Sequence, residues 1–462
     1  MKIYFIGICG VMMAPLAVAF KMRGDKVEGS DKGFYPPMSS VLEENGIKMH
    51  IGFKESHIPK DSDYVIVGAS ILPSNPEFMY VKMSKIPYSL GYAPVLEKYL
   101  IKDNSVVVIG TYGKTTITGF LSHLLTLNND NPNFAIGGIP LNASNGVAIT
   151  ESNWSIVEGD EYLNSRLDPI AKFMYYHPKY LLVNAIKYDH LDFYKTEDAY
   201  LDSFLQVLGK VPPNGKIIAN SDGENMQKVI DKLPSKEHIL YVSTKTGNKN
   251  FCDVALLNYQ YEKETISFTV KIYEEEVKFT SPLIGLHNIQ NLVMGIAFAV
   301  SIHIELSIIK EAILTYKGIR RRLEVRSINS FLIIDDLAHS PVKAQSSILA
   351  VKEKYPDRQI IAIFEPHTLS SRLHSSLNSF RGYFDKADKV FIAPVYHPAA
   401  VPMHERVTSH EIAKIIGASS EGFDSFQALQ ETIISTAKYG DILLFMTSGN
   451  MGGLIEYFSK PT

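Results

Sequence analysis

The chain has 462 residues with 46 basic and 49 acidic side chains, a formal charge of −3 with histidine neutral, and 45% hydrophobic against 21% charged residues. At roughly 100–200 residues per domain this length holds two to four domains with ample core, and the composition excludes disorder and collagen-like repeats. The near-neutral balance speaks against a general nucleic-acid binder, and two cysteines, Cys9 and Cys252, without a CxxC pair exclude a disulfide framework or a cysteine zinc site and fit a reducing compartment.

The uncharged opening, residues 3–20, has two readings. By composition it suits a secretory signal or short anchor, with Ala17-Val18-Ala19 resembling a signal-peptidase site. The alternative is a strand over 3–6, a turn at Gly7 and Gly10, a helix over 12–22 ended by Gly24, and a second strand leading to Ser30-Asp31. A cleaved signal would not need that second strand, so the opening is read as a βαβ unit. Further strands are predicted over 64–67, 106–109, 155–157, 180–183, 216–219, 331–334, 360–363, 389–392 and 441–445. They alternate with amphipathic segments, the pattern of an α/β fold with parallel sheets wrapped by helices. Between 251 and 279 a strand-like alternation predicts a small antiparallel insert. Polar or charged breaks near Asp103-Asn104 and Lys317-Gly318 divide the chain into three domains, 1–104, 105–318 and 319–462.

The strongest local signal is GTYGKTT, Gly110 to Thr116, between a predicted strand and a predicted helix. Gly110 and Gly113 let the backbone curl so that its N–H groups, with Thr111 and Thr116 and the helix N-terminus, face phosphate oxygens. Lys114 would neutralise the β- and γ-phosphates and the Thr115 hydroxyl would ligate Mg²⁺. The spacing is shorter than GxxxxGK[ST]. Next come EGDEY (158–162) and YDHLD (188–192), each after a predicted parallel strand, where ligands of such sheets bind. Glu158 and His190 are the candidate metal holders beside Thr115, although histidine is an unusual partner for hard Mg²⁺. The structural alternative makes Asp160 and Glu161 helix caps and His190 a turn residue.

In GLHNIQN (285–291), Asn288 and Asn291 are three apart, so they would share a helix face and offer amides to a base edge, with His287 beside them. Arg321 and Arg322 offer planar guanidinium forks suited to phosphate. In DDLAHSP (335–341), acids at a strand end precede a helix started by proline; Asp336 would meet a ribose, or the acids an incoming amine.

Taken in order, GTYGKTT, EGDEY, YDHLD, GLHNIQN, GIRRRLE and DDLAHSP resemble the Mur ligase family over essentially the whole chain. That resemblance implies three α/β domains: a Rossmann-like N-terminal domain for a UDP-sugar, a central P-loop ATPase, and a Rossmann-like, mobile C-terminal domain. It implies an ATP- and Mg²⁺-dependent enzyme joining a carboxylate to an amine through an acyl phosphate. The setting it implies is cytoplasmic peptidoglycan synthesis or recycling, and so cell-wall biogenesis, cell shape and division. The opening GICGVMM is similar to the branch that takes UDP-N-acetylmuramate itself. The segments YPPMS (35–39), EGDEY, FEP (364–366) and TSGNMGG (447–453) are more similar to members that add L-alanyl-γ-D-glutamyl-meso-diaminopimelate than to those that add L-alanine, the alternative acceptor.

In the roles the resemblance implies, Lys114, Glu158, His190 and Arg322 are catalytic and Thr115, Glu158 and His190 hold the metal. ATP meets the 110–116 loop, His287, Asn288, Asn291, Arg322 and Asp336. Gly7, Cys9, Gly10, Ser30, Asp31 and Ser70 line the UDP-sugar pocket, and His339 and Arg372 face the acceptor. Small-molecule substrates, no nucleic acid, no membrane, and a monomer or weak homodimer are expected. Three positions depart from the family pattern: Tyr112 stands where His or Lys is usual, Ser340 replaces the second His of DDYAHHP, and Cys9 replaces a frequent glycine. Rival classes remain an NAD-dependent oxidoreductase, for which Gly7 to Met12 lacks the third glycine of GxGxxG, a non-catalytic nucleotide-binding regulatory protein, and a kinase or GTPase switch, which leaves the last domain unexplained.

Overall fold

The uncharged opening folds as strand Lys2–Ile6, a turn and helix Met13–Met22, and the next strand, Lys26–Asp31, pairs with the first in parallel, Ile6 opposite Ser30. Residues 13–20 are all buried, so that stretch lacks charge because it is packed on every side, and charge returns only at exposed Lys21 in the last turn. This is the βαβ unit. No helix among the described residues is long and apolar enough to cross a membrane. The structure is a computed structural model describing residues 1–34, 37–190, 193–247, 252–263, 265–397 and 401–460. Tyr35 and Pro36 of YPPMS and Leu191 and Asp192 of YDHLD lie outside the described residues.

The chain divides into two compact units, residues 1–260 with 267–282 and 287–319, and residues 261–266 with 283–286 and 320–462. The first unit holds a parallel five-stranded sheet in the order Lys48–Ile51, Lys26–Asp31, Lys2–Ile6, Tyr64–Val67, Tyr88–Leu90. The strand order reverses beside Lys2–Ile6, and the carboxyl ends of Lys2–Ile6, Lys26–Asp31 and Tyr64–Val67 come together there.

The larger sheet runs Glu275–Ser281, Thr265–Ile272, Val254–Glu262, Ile239–Ser243, Lys216–Asn220, Tyr180–Val183, Asn104–Ile109, Trp154–Glu158, Asn133–Ala135, Val147–Ala148. Its middle is parallel, with Ile109 opposite Val183 and Val108 opposite Glu158. Thr265–Ile272 and Glu275–Ser281 are neighbours joined by only Tyr273-Glu274, a link that antiparallel strands alone can use. That is the predicted insert. One apolar cluster runs from the helix Met13–Met22 through Leu96 and Val107 to Phe204.

The second unit's sheet has the order Glu324–Ile328, Leu332–Asp336, Ile442–Met446, Ile360–Phe364, Lys389–Ile392, Ser420–Gly422, antiparallel only at the first pair. Its two faces carry separate apolar layers, Ile334, Ala362 and Leu444 on one and Ile333, Ile361 and Leu443 on the other, the alternation a sheet covered on both sides requires.

Candidate active site

Three neighbouring strands of the large sheet, Tyr180–Val183, Asn104–Ile109 and Trp154–Glu158, end at one edge, and the three sequence motifs follow them there. Gly110 and Gly113 have φ of +124° and +81°, the left-handed backbone glycine supplies without a Cβ penalty. The loop is held from behind: Thr111 N–H donates to the Ala185 carbonyl at 2.7 Å, and the Asn184 amide donates to the Tyr112 carbonyl at 3.0 Å. Helix Lys114–Leu127 then starts with Gly113 as its cap. A Cβ on Gly113 would stand 2.2 Å from Asn291 Oδ1 and 2.6 Å from Asn184 Nδ2. Gly113→Ala is therefore expected to add ~1–2 kcal/mol of backbone strain and to displace both amides. Titration calorimetry should show MgATP binding weakened at least about tenfold, the size of a 1.4 kcal/mol change; unaltered affinity would mean that the loop does not need this gap.

The Lys114 ammonium donates to the Gly110 carbonyl and to Glu161 Oε2, each at 2.7 Å. Glu161 Oε1 also faces His190 Nε2 at 3.4 Å. Thr115 Oγ1 donates to Glu158 Oε1 at 3.1 Å, and Glu158 Oε2 accepts from Gly137 N–H at 2.9 Å. The predicted trio of Thr115, Glu158 and His190 thus divides: Glu158 sits with Thr115, whereas Glu161 stands between Lys114 and His190. Donor atoms of Asp160, Glu161 and His190 lie within 4.8 Å of one another. No helix cap forms here; the segment runs into a hairpin, Leu163–Ser165 with Asp168–Ala171.

Burial disfavours charge on Lys114, yet Glu161 and the other two acids outweigh it and raise its pKa above the ordinary lysine value. Burial likewise pushes Asp160 up, but Lys172 at 2.6 Å and Lys114 hold its carboxyl below the usual range. The hydrogen bond to Glu161, against burial, raises the His190 imidazole. The site gathers buried and partly buried groups of both signs, and its carboxylate and hydroxyl oxygens suit a hard divalent cation such as Mg²⁺.

Asn288 and Asn291 are both buried, and Asn291 Oδ1 accepts from Asn184 at 3.4 Å, behind the loop. His287 and Tyr112 are exposed, and Thr116 is buried in the helix. Sequence reasoning missed Asn184 and Asn220, whose amide donates to Asn184 Oδ1 at 3.0 Å. Their only signal was position, one residue past the strand Tyr180–Val183 and the last residue of Lys216–Asn220.

At the edge of the five-stranded sheet, Gly7 and Ile8 N–H donate to the Ser30 carbonyl at 2.8 and 2.9 Å, and Cys9 N–H donates to Asp31 Oδ2 at 2.8 Å. Gly7, with φ of +84°, makes the turn, Gly10 follows it, and Ser70 is exposed beyond Tyr64–Val67. Burial first, then Asp31, pushes the Cys9 thiol up to about 11, so it is a packing residue and not a thiolate. Ser30 is fully buried and its hydroxyl donates to buried Glu77, which turns it away from a ligand.

In the second unit Arg321, with φ of +61°, donates from Nε to Asp335 at 3.3 Å and from a terminal nitrogen to the Thr447 carbonyl at 2.8 Å, while Arg322 is exposed. Asp336 accepts from Leu323 N–H and Ala338 N–H at 2.8 Å and from the Ser347 hydroxyl at 2.9 Å, so its carboxylate organises the strand end. His339 Nδ1 meets the Leu337 carbonyl at 2.8 Å and its Nε2 lies 3.2 Å from Lys343, and burial lowers its pKa. Half-buried Arg372 donates to the Pro366 carbonyl at 2.9 Å.

Burial pushes Asp335 up to about 6 although Arg321 opposes it. The folded chain therefore takes up a proton between about 6 and the ordinary ~3.9, where the unfolded chain does not, so this group adds stability as pH falls through that window. Asp335→Asn should flatten that part of the Tm–pH curve; an unchanged slope would show that Asp335 does not titrate there.

A glycine-shaped strand-to-helix loop backed by buried amides and faced by oxygen-rich acids, on a doubly wound α/β framework, is the arrangement that nucleotide-dependent enzymes use. Comparison with known proteins narrows it. Three family models match in order: "Mur ligase family, catalytic domain" over residues 2–99, "Mur ligase middle domain" over 108–299 and "Mur ligase, glutamate ligase domain" over 321–449. The UDP-N-acetylmuramate–L-alanine ligase of Caldicellulosiruptor saccharolyticus is 32% identical, covering 98% of this chain and 97% of its own. The UDP-N-acetylmuramate–L-alanyl-γ-D-glutamyl-meso-2,6-diaminoheptandioate ligase of Escherichia coli is 30% identical, with 98% and 96% covered. The crystal structure of a murein peptide ligase from Psychrobacter arcticus matches with a TM-score of 0.71 at 25% identity, over 99% of this chain and 98% of that one. The chain belongs to the Mur ligase family, ATP-dependent ligases that form amide bonds in peptidoglycan biosynthesis.

Proposed function

We propose that this ligase joins the lactyl carboxylate of UDP-N-acetylmuramate to the amine of L-alanyl-γ-D-glutamyl-meso-diaminopimelate, the step that returns a recovered peptide to the sugar nucleotide. The observation that carries the chemistry is the Lys114–Glu161–His190 group beside the Thr115–Glu158 pair at one strand edge. A carboxylate and an amine do not condense at neutral pH, because the carboxylate is a poor electrophile. In this reading it first attacks the γ-phosphate of ATP, giving an acyl phosphate and ADP. The acceptor amine then attacks the acyl carbon and expels phosphate. Lys114 balances the charge on the transferring group, and the loop N–H groups orient it. Thr115, Glu158, Asp160, Glu161 and His190 would hold Mg²⁺, which when bound neutralises phosphate charge. Gly7 to Gly10 and Asp31 bind the sugar nucleotide, and Arg322 serves the phosphates.

Two things support the tripeptide as acceptor. The FEP and TSGN segments are joined: the Thr447 hydroxyl donates to buried Glu365, and Ser448 Oγ lies 3.1 Å from His367 Nδ1. With His339, Lys343 and Arg372, this strand edge carries more charged and polar groups than the single carboxylate of L-alanine requires. L-Alanine is the second reading, favoured by the 32% identical relative. Phosphate release with UDP-N-acetylmuramate, MgATP and either acceptor, with the product mass read alongside, decides between them. Turnover with the tripeptide alone is the expected result; turnover with L-alanine alone would overturn the acceptor, and silence with both would overturn the ligase assignment.

A further inference from the structure

Between the acidic cluster and the five-stranded sheet lies the hairpin Leu163–Ser165 with Asp168–Ala171, all within the first unit. Its base is fastened to the cluster: Lys172 N–H donates to the Tyr162 carbonyl and Phe173 N–H to the Asp160 carbonyl, both at 3.1 Å, while the Lys172 ammonium holds the Asp160 carboxylate. Its tip is fastened to the other sheet. Asn164 is 0% exposed, and its amide donates to the Leu90 carbonyl at 2.6 Å and to Asp168 Oδ2 at 2.7 Å, while Oδ1 accepts from Ala93 N–H at 3.4 Å. Arg166 N–H donates to the Ala69 carbonyl at 3.1 Å, next to Ser70. Tyr175 donates its hydroxyl to Asp168 and so braces the hairpin from below.

The fit at the tip is specific. Gly91 has φ of +68°, and a Cβ there would stand 2.1 Å from Asn164 Oδ1, so the amide occupies the space this glycine leaves. Leu90 ends the strand Tyr88–Leu90, and Ala69 lies two residues past the adjacent strand Tyr64–Val67 of the same sheet. Glu161, which faces Lys114, is three residues before Asn164 along the chain. At no more than about 3.6 Å per residue the backbone at the two anchors is at most ~11 Å apart. A short, doubly fastened element therefore sets the distance between the strand-end loops of one sheet and the phosphate-facing acids of the other.

We infer that Asn164 is a positioning residue that holds the sugar-nucleotide loops in register with the phosphate loop, so that the carboxylate of the sugar meets the γ-phosphate. This rests on the function proposed above. Neither ligand touches Asn164 in this scheme, so the effect belongs in turnover and not in affinity; a displacement of ~1 Å between reacting groups costs of the order of 10²-fold in rate.

The test uses the full chain with two variants approaching the same amide from opposite sides, Asn164→Ala and Gly91→Ala. For each, binding of UDP-N-acetylmuramate and of MgATP is measured separately by calorimetry, with stoichiometry as the count of folded sites, and kcat is measured at saturation. The expected result is full stoichiometry, both affinities within about twofold of the parent, and kcat at least about tenfold lower. If kcat per binding site stays within twofold in either folded variant, or falls only in step with stoichiometry, Asn164 is merely structural and the inference is overturned. A parent chain that does not bind UDP-N-acetylmuramate would remove the reading beneath it, a failure visible before any variant is made.

Discussion

Lys114→Ala is expected to lower turnover by about 10³-fold, the scale of removing a cation or preorganised donor from a phosphoryl- or acyl-transfer site. Calorimetry should show the sugar nucleotide still binding, because its loops belong to another sheet. A second effect follows from burial. The Lys114 and Glu161 side chains are 11% and 2% exposed, so the variant leaves the Glu161 carboxylate buried without its ammonium partner, with His190 and the Asp160 carboxylate nearby. Breaking a buried pair from one side costs up to about 3–5 kcal/mol, and Tm should fall accordingly. Adding Glu161→Gln to Lys114→Ala removes the stranded charge, so Tm should recover while turnover does not. Parental turnover in the single variant would sink the phosphate-loop assignment, and a Tm that the second change fails to restore would sink the account of the pair.

Glu161→Gln on its own should cost about 10²–10³-fold in kcat, again by loss of a preorganised charge at the site. It also has a signature that needs no turnover. The bond to Glu161 is the leading reason the His190 imidazole titrates above its ordinary value. In the parent, the stability this pair contributes is fully present below the ordinary ~6.5 and is lost as pH rises through the raised value. In the variant the His190 midpoint should drop toward ~6.5, which ring-proton NMR on a histidine-labelled sample reads directly. A midpoint that does not move would show that Glu161 is not what holds the imidazole charged. The Glu158→Gln variant serves as comparison: Glu158 bonds Thr115 and Gly137, so it should change MgATP binding and leave the His190 midpoint in place.

Much of this arrangement is legible along the chain. Each predicted strand forms, because a run of β-branched residues buried on both faces has few other stable states. Glycines at 110 and 113 announce a loop whose backbone only glycine adopts readily, and Lys114 follows directly. EGDEY reads as a site because three acids in four positions need a cation or solvent. Which acid does what is not legible. Glu158 ends its strand and is held against Thr115, whereas Glu161, beyond the turn, comes back onto Lys114. Asp336 and Ser30 look like ligand groups from their motifs, but both spend their polar atoms on the fold. Asn184, Asn220 and Asn164 carry no pattern at all, since a lone amide after a strand is common and its partners come from other strands.

The sequence by itself determined the local chemistry: the βαβ opening, the phosphate loop, the acidic turn, and strand ends as the places where ligands meet an α/β sheet. Those features depend on neighbours a few residues apart, through backbone sterics and hydrophobic period. Only the tertiary structure decided which groups share a site. Lys114 meets Glu161 across 47 residues, Asn184 meets Asn291 across 107, and Asn164 reaches Leu90 across 74. Each pairing follows from the order in which parallel strands assemble, and that order is set by how whole helices and strands pack, which no local periodicity encodes.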